Sequence, residues 1–545
     1  MKKKEFIFLL LMVIPATIAL FKPGFYGASD EMHIAWLQQM DQAIVEGQIP
    51  PRYVSDLSFG FGYPLFNFIS PLPYYVGEIF HFLGLSFVYS IKMVFVISIL
   101  GSAVAMYFLV KQMSGGWVGM AAATLYIYSP YRSTDIYNRG ALGESLAFVF
   151  LPLILYFLLK VKKSVKQHES VRWIGWGAIT TAALILTHNI VSYMFIPLVI
   201  MLGIILLKNR LKELILFFGL GFLGSFYFWW PALMDSRLMK YDTVFNFFDH
   251  FPALKQLLIP YWGYGASVPG NYDTMSFFIG EVNLFIIGMS IVLLIKSFKS
   301  KTLNLGIVWW WCLALVMLAM VMMNFRSFWI WEHFPLIAYF QFPWRFLTLI
   351  VFGSSILVTM ITTRKNYKIW SGLIIILAFG FNYYRFKPND FLNRDDSYYI
   401  NRYIPIPSPS NEYLNLKEEY LRLPKATEVR PKNIYSRVFP ESLETPYIKP
   451  INHLDTELST DSDKSLTLNY NKYYFPGWEA IMDNKKLKLW AGEPYGQIQF
   501  DVPDGKHEIL IRFRETFNNR IWDIGSMLTI VGCIYLLARR PTKVE

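Results

Sequence analysis

Apolar runs of about 20 residues recur along this chain, the length an α-helix needs to cross a bilayer. In hydrocarbon every backbone polar group must be satisfied internally, so such runs commit the chain to a bundle of spanning helices. Spans are expected near 5–21, 87–110, 115–131, 144–160, 172–187, 190–207, 213–233, 280–296, 305–323, 346–362, 368–384 and 521–538. Of 545 residues, 54% are hydrophobic and 17% charged. The fold class expected is a polytopic α-helical membrane protein with about 12 transmembrane helices.

Charge supports that register. The formal net charge is +12, yet the basic residues are spread over short connections and form no nucleic-acid-binding patch. They fall at Lys2, Lys3 and Lys4, at Lys111, at Lys160, Lys162, Lys163, Lys166 and Arg172, and at Lys208, Arg210 and Lys212. The series continues with Lys296, Lys299 and Lys301, then Arg364, Lys365 and Lys368, and ends at Arg539, Arg540 and Lys543. Every second connection is therefore basic, as cytoplasmic loops are. This places both termini in the cytoplasm of a multi-pass membrane protein. The first span is read as retained, because cleavage after Ala28 would put Tyr26 where a small residue is needed. Cys312 and Cys533 both lie in apolar spans, which leaves no disulfide framework.

The other connections are long: 22–86, 132–143, 234–279, 324–345 and 385–520. The domains expected are a transmembrane unit over 1–384, an extracytoplasmic segment over 385–520, and a last helix with its tail over 521–545. A short helix is expected from Ser410 to Leu423. From about Lys464 the period becomes two, at 466–470, 487–489, 498–500 and 509–513, with turns at Pro476-Gly477, Asp483-Asn484 and Pro503-Asp504-Gly505-Lys506. That pattern predicts a small antiparallel β-sandwich.

Ionisable residues avoid the middles of the spans. Lys92, Glu144, His188, Glu281 and Asp523 lie near their expected outer ends, whereas transporters place polar groups near the midplane. The densest chemistry is Ser29-Asp30-Glu31-Met32-His33. A surface helix is predicted over 29–45, capped by Ser29, with Asp30 and Glu31 at its positive end and Leu37, Met40 and Ile44 on its apolar face. The same carboxylates read equally well as residues that merely favour a helix start. Further polar candidates are Arg52 and Asp56 in the first loop, then Arg132, Asp135 and Arg139, and His188-Asn189. Glu332-His333 and Gln341-Phe342-Pro343-Trp344-Arg345 follow in the 324–345 connection. Any one of these arginines can instead snorkel toward headgroups. His33, His188 and Glu332-His333 are the residues from which a divalent metal site would have to be built, and their spacing fits no specific metal motif.

The first-loop acidic motif, Gly62-Tyr63-Pro64-Leu65-Phe66, Pro71-Leu72-Pro73-Tyr74-Tyr75 and Gln341-Phe342-Pro343-Trp344-Arg345 together resemble a bacterial membrane family labelled "6-pyruvoyl-tetrahydropterin synthase-related". The wider architecture is similar to GT-C glycosyltransferases, including the YfhO-type and protein O-mannosyltransferase groups. Tyr474-Phe475-Pro476-Gly477-Trp478-Glu479-Ala480 and Asp504-Gly505-Lys506-His507 resemble the C-terminal β region of YfhO-type proteins. Those chains are considerably longer, so their acceptor does not carry over.

The resemblance implies an inverting transfer of a sugar from a polyprenyl-phosphate donor to an extracytoplasmic glycan, glycolipid or surface polymer. It implies that an acidic residue of the first external loop is the general base or holds a metal. Asp30 matches that position, with Glu31 as rival and His33 beside them. For the departing lipid phosphate the expected binders are Arg345, then Arg139 and Arg132, with Arg52, His188 and Trp344 as further substrate contacts. A non-catalytic export or assembly factor for envelope polysaccharide is the alternative from another class, and a transporter the third.

Overall fold

The structure of the chain, a computed structural model, describes residues 3–538 apart from 241–246, 271, 300–305, 364–365, 417, 419–420 and 440–446. Of the basic markers above, Lys2, Lys301, Arg364, Lys365, Arg539, Arg540 and Lys543 lie outside these residues. Each expected span falls on a helix. Among the described residues six helices are long and apolar enough to cross a membrane: Lys3–Phe21, Phe87–Ser114, Leu142–Lys163, Asn189–Leu206, Pro343–Met360 and Phe517–Ala538. The number rises to at most eight if each of two bent pairs counts as one span.

The first of these pairs bends the span expected at 213–233, whereas the span expected at 305–323 is the helix Ile307–Met322 and its bend falls in the 324–345 connection. Leu211–Gly224 and Phe226–Leu238 meet at 67°, and Ile307–Met322 and Phe325–His333 at 86°. The expected spans at 115–131, 172–187, 280–296 and 368–384 are helices as well, over Gly116–Ile127, Gln167–Thr187, Glu281–Lys299 and Tyr367–Asn382. Within the bundle Pro343–Met360 is central, with 94% of its length buried, while Phe517–Ala538 lies outermost at 11%.

The β region is a sandwich, and it starts earlier than Lys464. One sheet orders Val438–Phe439, Leu466–Tyr473, Gln497–Val502 and Trp490–Gly492; the other orders Tyr447–Pro450, Thr456–Ser462, Gly505–Phe513, Trp478–Met482 and Lys485–Lys486. Residues 487–489 are not a strand, contrary to their alternation. The Asp483-Asn484 turn is as expected: both residues have positive φ, 45° and 68°, and the strands pair Met482 with Lys485. Two residues with φ above zero give the hairpin turn that matches strand twist. The helix expected over 410–423 shrinks to Asn411–Leu414, capped by Ser410 Oγ. Its second half touches residues outside the description.

The first loop is not a separate layer beneath this sandwich. Tyr53 is fully buried in the sandwich core, edge-on to Trp478 at 5.4 Å and against Phe513 at 5.1 Å. Its hydroxyl donates to the carbonyls of Phe61 and Tyr473. Lys472 reaches back from the sandwich to the Ser55 and Gly60 carbonyls at 2.9 and 2.7 Å, and burial pulls its ammonium down to about 8. At the base, Arg52 pairs with Glu515 and with Asp523 of the last helix, both at 2.7 Å, and donates to the Tyr227 carbonyl. The 385–403 segment clamps the other side: Phe25–Tyr26 pairs with Phe391–Arg394, and Asp396 accepts the Phe87 and Val88 amides at the start of their helix.

Arg52 is only 2% exposed, so removing it strands two largely buried carboxylates, Glu515 and Asp523. Breaking such a pair costs about 3–5 kcal/mol. Arg52→Ala should therefore lower the thermal midpoint of the detergent-solubilised protein well below wild type. Arg52→Ala combined with Asp523→Asn should cost less than the sum of the two single losses. An unchanged midpoint in Arg52→Ala would show that the junction does not depend on this clip.

Candidate functional site

The chain between Gly116–Ile127 and Leu142–Lys163 does not simply turn back. Ser129 leads into one α-helical turn, Pro130–Ser133, and then one turn of π-helix, Thr134–Arg139. The wider π turn carries one more residue than an α turn and is found mostly at functional positions. It ends at Gly140, whose φ of +69° is left-handed. The Ala141 amide bonds back to the Asp135 carbonyl at 2.9 Å. A Cβ at 140 would lie 3.0 Å from the Ala28 Cβ. Glycine here thus allows the first loop to approach, and Ser29 and Asp30 dock their amides on the Asn138 and Arg139 carbonyls at 3.2 and 2.8 Å.

This docking sets where the carboxylates go. The surface helix begins at His33, not at Ser29, with Met32 at its N-cap and no side-chain cap. Leu37 and Met40 are fully buried in protein. Asp30 therefore precedes the helix, on a turn held by the π segment. Its carboxylate makes no hydrogen bond or ion pair among the described residues, while its charge acts on His33, Asp135, Arg139 and Arg345. Glu31 points to other partners. It is 8% exposed, pairs with Arg402 at 2.9 Å and accepts the Tyr403 hydroxyl at 3.2 Å.

Beneath Asp30 lies a buried network centred on Glu144. One Glu144 oxygen accepts from Tyr131 (2.6 Å) and Thr348 (3.0 Å), and the other from Arg139 (2.7 Å). Arg139 also binds Asp135 at 2.8 Å and stacks its guanidinium 4.7 Å over the Trp344 ring. Trp344 in turn stacks between Phe342 and Phe277. Asp135 is fully buried with its second oxygen unpartnered. Burial first, and then the Glu144 charge, raises its pKa.

Arg345 is placed by a local device. Gln341 takes a positive φ of 69°, and Pro343 then starts a 3-10 turn that leads into Leu347–Leu357. Proline suits the first position of a helix because its missing N–H has no partner there. Arg345 is 9% exposed, yet its Nε and Nη1 have no hydrogen-bond partner among the described residues. It lies 5.4 Å over the Phe342 ring and in the field of Glu144 and Asp30. A buried, unpartnered guanidinium is costly unless a ligand completes it.

Two imidazoles complete the wall. His33 Nδ1 meets the Tyr74 hydroxyl at 2.7 Å, and burial pushes its pKa down to about 4 against the raising effect of Asp30. His188 caps Asn189–Leu206, its Nδ1 accepting the Val191 amide at 3.1 Å. Burial lowers its pKa to about 3. The Ser70 hydroxyl accepts the Asn189 amide at 3.2 Å, which ties the first loop to this corner too.

Of the residues picked from the sequence, the fold brings together Asp30, His33, Arg139, His188, Trp344 and Arg345. It does not bring Glu31 or Arg52 to them; both are consumed in the ion pairs already described. Arg132 is 1% exposed and lies 4.0 Å over the Phe148 ring, donating to the Ser145 carbonyl. It acts on Asp135 and Glu144 from inside the bundle. Glu332 and His333 are mostly exposed and lie 3.9 Å apart, and His333 Nδ1 donates to the Trp329 carbonyl at 2.8 Å. No group of three or more His, Cys, Asp or Glu side chains among the described residues is arranged to hold a metal, so the metal set considered from spacing is not assembled. The sequence reading placed Asp135 and Glu144 near span ends without assigning them a role, and it missed Tyr131, Tyr74 and Thr348. The i, i+4 pair Asp135–Arg139 was the only local hint.

No family model matches the chain. An uncharacterized protein of Lactococcus lactis subsp. cremoris (strain MG1363) is 25% identical over 253 residues, 44% of this chain and 41% of that protein. Among solved structures, the chain is similar to ArnT from Cupriavidus metallidurans bound to undecaprenyl phosphate. That likeness has 13% identity and a TM-score of 0.36, over 65% of this chain and 59% of that one. It is also similar to the Archaeoglobus fulgidus oligosaccharyltransferase in complex with Zn and sulfate, at 11% identity and a TM-score of 0.38, over 81% of this chain and 59% of that one.

Two outcomes test the geometry. Left-handed backbone costs a residue with a Cβ about 1–2 kcal/mol. Gly140→Ala should therefore lower stability by at least about that amount, as read from denaturation midpoints, because its Cβ also meets Ala28. The His33 pKa falls from 6.5 to about 4 on folding. The unfolded chain therefore binds more protons between these values, and this contribution to stability is lost as pH falls through the window. His33→Gln should show a shallower loss of stability than wild type between pH 6.5 and 4.

Proposed function

We propose that this chain is an integral-membrane glycosyltransferase that moves a sugar from a polyprenyl-phosphate donor to an extracytoplasmic acceptor. The observation that carries this reading is the presence of an open carboxylate and an open guanidinium in one cluster around Glu144. Among the described residues the Asp30 carboxylate has no hydrogen-bond or ion-pair partner, and buried Arg345 has two unpartnered nitrogens. One can take a proton, and the other can receive an anion.

The chemistry follows from those roles. An acceptor hydroxyl is a weak nucleophile until its proton is taken during attack. Asp30 accepts that proton as the hydroxyl oxygen bonds to the anomeric carbon. The bond from that carbon to the lipid phosphate oxygen breaks in the same displacement, so configuration inverts. The departing phosphate gathers negative charge, which Arg345 meets with parallel donors. Burial favours the neutral form of Asp135. Arg139 and Arg345 lie in the field of Asp30 and Glu144, and Arg132 acts on Glu144 from inside the bundle, a cationic surround suited to a phosphodiester. Arg139 and Trp344 hold the floor of the site, while the first loop, with its share of the sandwich core, forms the side from which an acceptor approaches.

General-base contributions are typically about 100- to 10,000-fold, whereas a helix-end charge contributes only about 0.3–1 kcal/mol. Asp30→Asn should reach the membrane at normal abundance and transfer sugar at no more than about a hundredth of the wild-type rate. Glu31→Gln loses its ion pair with Arg402 but keeps the chemistry, so it should show reduced stability with a near-normal turnover. Arg345→Lys retains charge but not the planar fork, and should remain impaired. Full transfer activity in Asp30→Asn would remove the reading.

A further inference from the structure

The second open donor of the cluster is on His188. Its Nδ1 accepts the Val191 amide hydrogen at 3.1 Å. A backbone N–H can only donate, so this nitrogen must carry its lone pair, and a neutral imidazole then holds its hydrogen on Nε2. That nitrogen makes no hydrogen bond among the described residues. The ring is wedged at Gly143, where a Cβ would come within 3.2 Å of His188 Cδ2 and 2.6 Å of the Thr187 carbonyl. The backbone at 143 thus fixes the ring beside Glu144. The groups whose charge reaches His188 are Glu144, Arg345, Arg139 and His33.

From this geometry we infer that His188 is a neutral, tautomer-locked hydrogen-bond donor which, with the buried and unpartnered Arg345 guanidinium, forms a two-residue seat for a phosphate group. The helix cap that positions the ring also dictates which nitrogen carries the proton. Folding therefore pre-sets the donor, and no proton has to be acquired when the anion arrives. The burial that keeps the ring neutral, its pKa near 3, agrees with this assignment. So does the neighbouring Arg345, whose charge would repel an imidazolium. His188 is accordingly a phosphate-positioning residue and not a base. Its role rests on the donor class proposed above, but not on the identity of the sugar or of the general base.

The test uses the full chain in nanodiscs and a polyprenyl phosphodiester without sugar, whose single charge is constant from pH 5 to 8. His188→Asn keeps an excellent cap acceptor for the Val191 amide and removes the distal N–H. A hydrogen bond to a charged group contributes enough that its loss should weaken binding by about 10- to 100-fold, with the thermal midpoint of the free protein nearly unchanged. His188→Ala should lose the same affinity and also stability. In wild type the affinity should be flat between pH 5.5 and 7.5, and a 15N spectrum of histidine-labelled protein should show His188 protonated at Nε2 alone. Inorganic phosphate should compete at high concentration, because both residues of the seat read the phosphate group; failure to compete at any concentration would overturn a seat built for that group.

Wild-type affinity in His188→Asn overturns the inference. So does an affinity that falls as pH rises through 6.5 in wild type and not in the variant, which would mean an imidazolium. If phosphodiester binding depends on His188 but no sugar is transferred to any acceptor, the seat stands and the proposed reaction falls.

Discussion

Glu144 is the point on which the site depends. It is fully buried at the start of a bundle helix and receives Tyr131, Arg139 and Thr348. These belong to the turn before the π segment, the end of that segment, and the central helix. A carboxylate so deep survives only if every lone pair finds a donor, because desolvating it unpaired costs several kcal/mol. Satisfying Glu144 therefore fixes three elements relative to one another. It also spends Arg139, so that Arg345, one of its other cationic neighbours, is left with open donors.

A second constraint comes from the first loop. Ser29 and Asp30 hydrogen-bond through their amides to the π turn, while Tyr53 is a member of the sandwich core and Arg52 is clipped to the last helix. One loop is thus fastened to the bundle at its start and to the C-terminal sandwich at its middle. Any movement of the sandwich would pull on the segment that carries Asp30. The stability of the β domain and the placement of that carboxylate are the same question.

Electrostatics within the cluster divide the labour among similar groups. Asp30 and Glu31 are adjacent, yet one is open and the other is held by Arg402 and Tyr403. Arg132 and Arg345 are both buried, yet Arg132 is engaged with the Ser145 carbonyl and the Phe148 ring, while Arg345 keeps two nitrogens unpartnered. The imidazoles stay neutral because burial outweighs the nearby carboxylates. Such separation of like groups by environment is how one pocket can hold a base and an anion receptor together.

The helical membrane character, the places where helices occur and the β alternation near the C-terminus were legible in the sequence, because each follows from local periodicity and composition. The polar candidates Asp30, His33, Arg139, His188, Trp344 and Arg345 were legible as residue types at span ends, where charge is expensive and so informative. What the sequence did not disclose was which of them are free. That depends on partners hundreds of positions away, as with Arg52 and Asp523 or Glu31 and Arg402. The two bent helix pairs, the π turn and the shared core of loop and sandwich were likewise set by packing, since a hydropathy pattern gives the length of an apolar run but not the angle at which it bends. Sequence determined which polar groups stand near the ends of apolar runs; tertiary structure decided which of them are already satisfied, because hydrogen bonds and ion pairs are settled by distance in space and not by distance along the chain.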